Sequence, residues 1–186
     1  MLSYVVLWEI IVCWVLWVLA FLKPRRQASG QRKVVEAPAS KWGIVLQTVA
    51  FALTCAFARP AGYEKSIPSL IAAMILAPAS VTVGWMATRH LGKQWRFEAT
   101  LNEDHDLVQT GPYRWVRHPI YASMLGMVLA TGFAWTWWPL QIAGIAFFLV
   151  GTEIRIRAED RLLGGRFQES FAAYRARVPA YSPFIR

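Results

Sequence analysis

Residues 120–154 read IYASMLGMVLATGFAWTWWPLQIAGIAFFLVGTEI, without one lysine or arginine. A helix needs roughly 20 apolar residues to cross the hydrocarbon core of a bilayer. This stretch holds two runs near that length, 120–134 and 138–154, joined through Trp135-Thr136-Trp137-Trp138-Pro139. A tryptophan-rich turn suits the lipid–water interface, where aromatic rings collect. The stretch therefore reads as a membrane helical hairpin, and that reading sets the class of the chain. Toward the N-terminus, 2–22 (broken only by Glu9), 42–58 and about 66–88 make three more spans. Pro68 and Pro78 fall in the third of these, where a membrane helix tolerates proline with a kink. The expected fold is all-α: a polytopic membrane helix bundle of about five transmembrane helices. A C-terminal amphipathic cytoplasmic helix should follow, because Leu163, Phe167, Phe171, Tyr174 and Val178 recur at steps of three and four between charged residues. Gly164-Gly165 is expected to separate that helix from the fifth span.

The composition agrees. The chain is 56% hydrophobic and 17% charged, against about 25% charged in soluble domains. Its net charge of +9 could suggest nucleic acid, but the positions of the charges exclude it. All of the 20 basic residues except Arg59 and Lys65 fall in segments 23–41, 89–118 and 155–186. Five spans put those three segments on one side. The positive-inside rule makes that side cytoplasmic and leaves the N-terminus outside. No positive charge precedes the first run, and Lys23-Pro24-Arg25-Arg26 follows it, the wrong order for a cleaved signal peptide. Cys13 and Cys55 sit in apolar runs and read as packing residues. His90, His105 and His118 lack zinc spacing, so no metal is expected. The chain divides into 1–88, transmembrane helices with a basic linker, and 89–186, where the chemistry-bearing residues lie.

Two polar clusters flank the hairpin. One runs from Leu107 through Gly111-Pro112-Tyr113-Arg114 to Arg117-His118-Pro119-Ile120-Tyr121; the other is Arg155-Ile156-Arg157-Ala158-Glu159-Asp160. A hairpin brings the start of one helix beside the end of the next, so His118 and Tyr121 should lie near Arg155, Glu159 and Asp160. Such groups at membrane depth are costly unless they pair or bind something. Arg114 and Arg117 read first as phosphate-snorkelling anchors beside a span. Glu159 and Asp160 could simply pair with Arg155 on the helix.

Together these residues resemble a known family. Gly111 to Tyr121 looks like the GxYxxxRHPxY motif of isoprenylcysteine carboxyl methyltransferases and related phospholipid methyltransferases. Arg155 with Glu159-Asp160 is similar to the family's arginine and paired acids. Phe171 to Pro179, with Pro183-Phe184-Ile185, resembles its C-terminal signature, and Leu91-Gly92-Lys93-Gln94-Trp95 its upstream LG element. The resemblance covers 89–186. It implies an integral, multi-pass membrane methyltransferase that uses S-adenosylmethionine. It assigns His105, Asp106, Leu107, Val108, Tyr113, His118, Pro119, Tyr121 and Glu159 to the cofactor, with Glu98 as a further contact, and Arg155 to the substrate carboxylate. Asp160 stands where the family usually has Glu, and Ser123 where Gly is common. A glycine-spaced element of the amine-methylating branch is absent.

The expected reaction is methylation of the carboxylate of a lipophilic or prenylated, isoprenylcysteine-like substrate. That substrate would enter from the membrane lipid to a site facing the cytoplasm. An ionised carboxylate needs no general base, so positioning in a dry site suffices. The rival readings are a lipid amine or thiol as acceptor, a sterol-type NADPH reductase, and a non-enzymatic scaffold.

Overall fold

The computed structural model describes residues 2–22, 33–36, 40–56, 60–92, 100–102 and 106–181. Five helices make the body: α1 (Leu2–Leu22), α2 (Ser40–Cys55), α3 (Ile67–Leu91), α4 (Pro119–Ala134) and α5 (Trp138–Arg177). One turn of 3-10 helix, Gly111–Arg114, precedes α4. The expected helical membrane bundle is what the chain forms. It carries one unexpected addition, a short antiparallel ribbon of β1 (Lys33–Glu36) and β2 (Thr100–Asn102). The ribbon ties together two of the segments that the charge count puts on one side of the membrane.

Among the described residues, three helices, α1, α3 and α5, are long and apolar enough to cross a bilayer. The 16-residue α2 and α4 reach only about 24 Å at 1.5 Å per residue. Apolar side chains of α1 are exposed at Tyr4, Trp8, Val12, Val15 and Leu19. That stripe suits lipid, not water. Its other side buries Val6, Ile10 and Cys13 against Leu70, Ala73 and Ala77 of α3 and Met127 of α4.

Bundle contacts run through small residues, as expected where lipid supplies no hydrophobic drive and close packing must. A Cβ on Gly126 of α4 would lie 2.0 Å from Ser80 Oγ of α3. On the antiparallel α2–α5 pair, a Cβ on Gly151 would meet the Gly43 carbonyl at 2.8 Å. Trp17 Nε1 of α1 donates to Ser123 Oγ at 2.7 Å, and Ser123 donates on to the Ser80 carbonyl at 2.8 Å. Serine rather than glycine at 123 thus links three helices.

Two expectations are corrected. Pro68 lies in the first turn of α3 behind the Ser66 cap, where its missing N–H costs nothing, so Pro78 alone is interior. The break in the tail falls at Gln168 (φ 43°), not at Gly164-Gly165, which remain helical. Leu163 and Phe167 before the bend then pack with Phe171, Tyr174 and Val178 after it.

Candidate functional site

The site is built where α4 begins and α5 continues past its membrane half. Gly111 has φ +59°, and a Cβ there would strike the His90 ring at 2.4 Å, so this turn needs glycine. Pro112 fixes the turn and Pro119 starts α4, each at a position where no N–H is required. Between them the 3-10 turn gives way to an irregular stretch, and residues of the C-terminal segment pair with it. Arg117 N donates to the Pro179 carbonyl at 2.8 Å and His118 N to the Ala180 carbonyl at 2.7 Å.

His118 is buried at the centre. Its Nε2 lies 3.0 Å from Asp160 Oδ1 and its Nδ1 3.2 Å from Glu159 Oε2. Carboxylates only accept, so two such contacts require both ring nitrogens to carry protons. His118 is therefore an imidazolium bridging two acids. Burial presses its pKa down, but the hydrogen bonds and charges of Asp160 and Glu159 outweigh that and raise it. Burial likewise pushes Glu159 and Asp160 up, but His118 outweighs it in both, helped by Arg155 for Glu159 and Arg117 for Asp160, so both are lowered. The Tyr121 hydroxyl donates to Glu159 Oε1, and the Tyr121 ring stacks on His118 with centroids 5.7 Å apart.

Asp160 is closed in. Arg117 Nη2 reaches its Oδ2 at 3.1 Å, and Arg117 Nη1 donates to the Val178 carbonyl. Glu159 differs, because its side chain keeps 25% of its surface exposed against 8% for Asp160. An exposed edge on a fixed, ionised carboxylate can accept from the hydroxyls or ammonium of a bound molecule. One turn back on α5, the Arg155 guanidinium lies over the Tyr121 ring, 5.0 Å from its centroid. Arg155 Nη1 also donates to Gln47 Oε1 of α2 at 2.9 Å.

His118, Tyr121, Glu159 and Arg155 are thus in one cluster. The buried Tyr113 is tied instead to the tail, its carbonyl accepting from the Tyr174 hydroxyl at 2.5 Å; burial raises the Tyr174 pKa to about 12. Leu107 packs on the cluster of Phe171, Tyr174 and Val178. Asp106 is exposed and Val108 half-buried on the chain that leads into the Gly111 turn. Glu98 and His105 lie outside the described residues.

Arg117 is the clearest correction. Expected as a surface anchor, it is buried and ion-paired to Asp160. Arg114 does remain exposed, its guanidinium 5.4 Å from the Trp115 ring. Of the two acids, Asp160 pairs with Arg117 and His118, while the Arg155 charge acts on Glu159. Sequence reasoning missed Gln47, although a lone amide in the apolar run 42–58 is the kind of signal that marks a buried polar contact.

Comparison with known proteins adds the family context. The model of the isoprenylcysteine carboxyl methyltransferase (ICMT) family matches residues 69–164. The cobalt-zinc-cadmium resistance protein CzcN of Cupriavidus metallidurans is 31% identical over 145 residues, 76% of this chain and 62% of that protein. The nickel-cobalt-cadmium resistance protein NccN of Alcaligenes xylosoxydans xylosoxydans is 31% identical over 144 residues, with the same coverage of 76% and 62%. The uncharacterized protein YpbQ of Bacillus subtilis is 32% identical over 93 residues, 50% of this chain and 54% of that one. The matches thus take in less than two thirds of each relative's length.

Proposed function

The chain belongs to the isoprenylcysteine carboxyl methyltransferase family, and on that premise we propose that it methylates the carboxylate of a lipophilic, isoprenylcysteine-like acceptor. S-adenosylmethionine would supply a methyl group on a sulfonium, whose C–S electron pair returns to sulfur as the carboxylate oxygen takes the methyl, with no proton moved. What this chain's residues contribute is position. Glu159, fixed between His118 and Tyr121 with one edge exposed, is suited to hold the hydroxyls or ammonium of the cofactor. Arg155 is suited to hold the acceptor carboxylate by a charge-assisted pair. The acceptor would arrive through the bilayer, and the cofactor from the cytoplasmic face.

The observation that carries the reading is the shared Tyr121. Its hydroxyl fixes Glu159 and its ring carries Arg155. Residues 155 and 159 are one helical turn apart, a rise of about 6 Å. Two groups of opposite charge are so presented side by side, one for each reactant. That is how a site can supply catalysis by orientation alone.

The test is a tritiated methyl-transfer assay on purified protein against prenylcysteines, fatty acids and lipid amines. Base-labile label on a prenylcysteine carboxylate is the expected result. Label on amines alone would replace the acceptor. Binding of NADPH with no binding of S-adenosylmethionine would overturn the reading.

A further inference from the structure

The geometry points to α2 as a wall of the acceptor site, with Gln47 a positioning residue for Arg155; this rests on the carboxyl-methylating reading above. Both the family match at 69–164 and the resemblance over 89–186 leave α2 out. The contacts bring it in.

Arginine has donors only, so Gln47 can meet it only through the amide oxygen. That orientation is set from the other end, because Gln47 Nε2 donates to Thr152 Oγ1 at 2.8 Å. Thr152 lies three residues before Arg155 on α5, so the amide spans from one side chain of that helix to the next. Gln47, Thr152 and Arg155 are all buried, where a held hydrogen bond counts for more than in water. One turn earlier on α2, Gly43 makes room for the arginine stem. A Cβ there would lie 2.4 Å from Arg155 Cγ and 2.6 Å from the Gly151 carbonyl. Gly43 thus admits the stem of the arginine and Gln47 orients its head. A guanidinium is always charged and recognises a carboxylate by a planar fork, so its tilt decides whether both oxygens are met. α2 sets that tilt.

The test uses the purified full chain in nanodiscs and compares three ligands. The first is a prenylcysteine with a free carboxylate, assayed as acceptor. The second is its methyl ester, the uncharged product, assayed as competitive inhibitor. The third is S-adenosylhomocysteine, whose affinity is measured by calorimetry. Gln47→Leu should raise the acceptor KM about tenfold or more, with the methyl ester Ki and the S-adenosylhomocysteine Kd held within about twofold. Should Gln47→Leu fail to fold, Gln47→Glu keeps the size and the contact to Arg155 but cancels its charge, and should show the same selective loss. Thr48→Ala, on the exposed side of α2, is the unchanged control. Wild-type acceptor KM in the Gln47 variants overturns the inference, as does equal weakening of all three ligands. If the wild type itself methylates no carboxylate, the functional reading has failed before any variant is made, and this inference falls with it.

Discussion

At the residue scale, the chemistry rests on a few buried charges whose partners are specific. Arg155→Ala should lower kcat/KM at least tenfold, since a hydrogen bond to a charged group is worth about 1.5–3 kcal/mol. S-adenosylhomocysteine affinity should stay near wild type, and Arg155→Lys should restore little, because a point charge does not replace a fork. Arg157 is exposed and paired with Glu153 at 2.8 Å, so Arg157→Ala should be nearly silent. Normal turnover in Arg155→Ala would remove the assignment. His118 gives a pH signature. It holds its second proton more tightly folded than unfolded, so its contribution is complete below the ordinary value of 6.5 and is lost as pH climbs through its raised folded value. The acids contribute above their ordinary values of 4.5 and 3.8 and lose it as pH falls through their lowered folded values. The cluster is therefore strongest between 4.5 and 6.5. The gap in thermal midpoint between wild type and His118→Gln should be widest there and narrow in alkaline buffer; a gap that widens with pH would contradict an imidazolium. Much of this was legible in residue order, since His118, Tyr121, Arg155 and Glu159 flank one hairpin. Arg117 was misread because an arginine beside a span looks the same in sequence whether it meets phosphate or a buried acid.

At the scale of elements, glycines separate positions of close approach from positions of open space. Gly151→Ala puts a methyl group against the backbone of α2, and overpacking of that kind costs about 1–3 kcal/mol. Gly165 is exposed with nothing within 4 Å of a built Cβ, so Gly165→Ala should stabilise by about 0.5–1 kcal/mol. Gln168→Gly should stabilise too, by relieving a positive φ that a side chain disfavours. Differential scanning fluorimetry in detergent would rank the three, and a fall in the Gln168→Gly midpoint would place the bend elsewhere. The sequence suggested the glycine pair as the break for a sound local reason, namely weak helix propensity. Tertiary packing of Leu163 and Phe167 onto Phe171 and Tyr174 decided otherwise. No local pattern records that.

At the scale of the molecule, five helices were visible from hydropathy and loop charge, because those signals are long and repeated. The pairing of β1 with β2 was not visible, as it joins two short segments far apart in sequence. A C-terminal reporter should score cytoplasmic and an N-terminal reporter external, and both on one side would end the five-span topology. The reach of α5 has a further consequence. Before its bend at Gln168, it is one rod of about 45 Å, at 1.5 Å per residue, bearing Thr152, Arg155, Glu159 and Asp160. A rod answers a thicker or thinner membrane by tilting, not by stretching. Tilt would shift the depth at which a lipid's headgroup meets Arg155, yet leave the step from Arg155 to Glu159 untouched. In nanodiscs of graded acyl-chain length, acceptor KM should therefore pass through a minimum at one thickness while cofactor affinity stays level, so that under the proposed function the bilayer itself helps choose when the acceptor site is saturated.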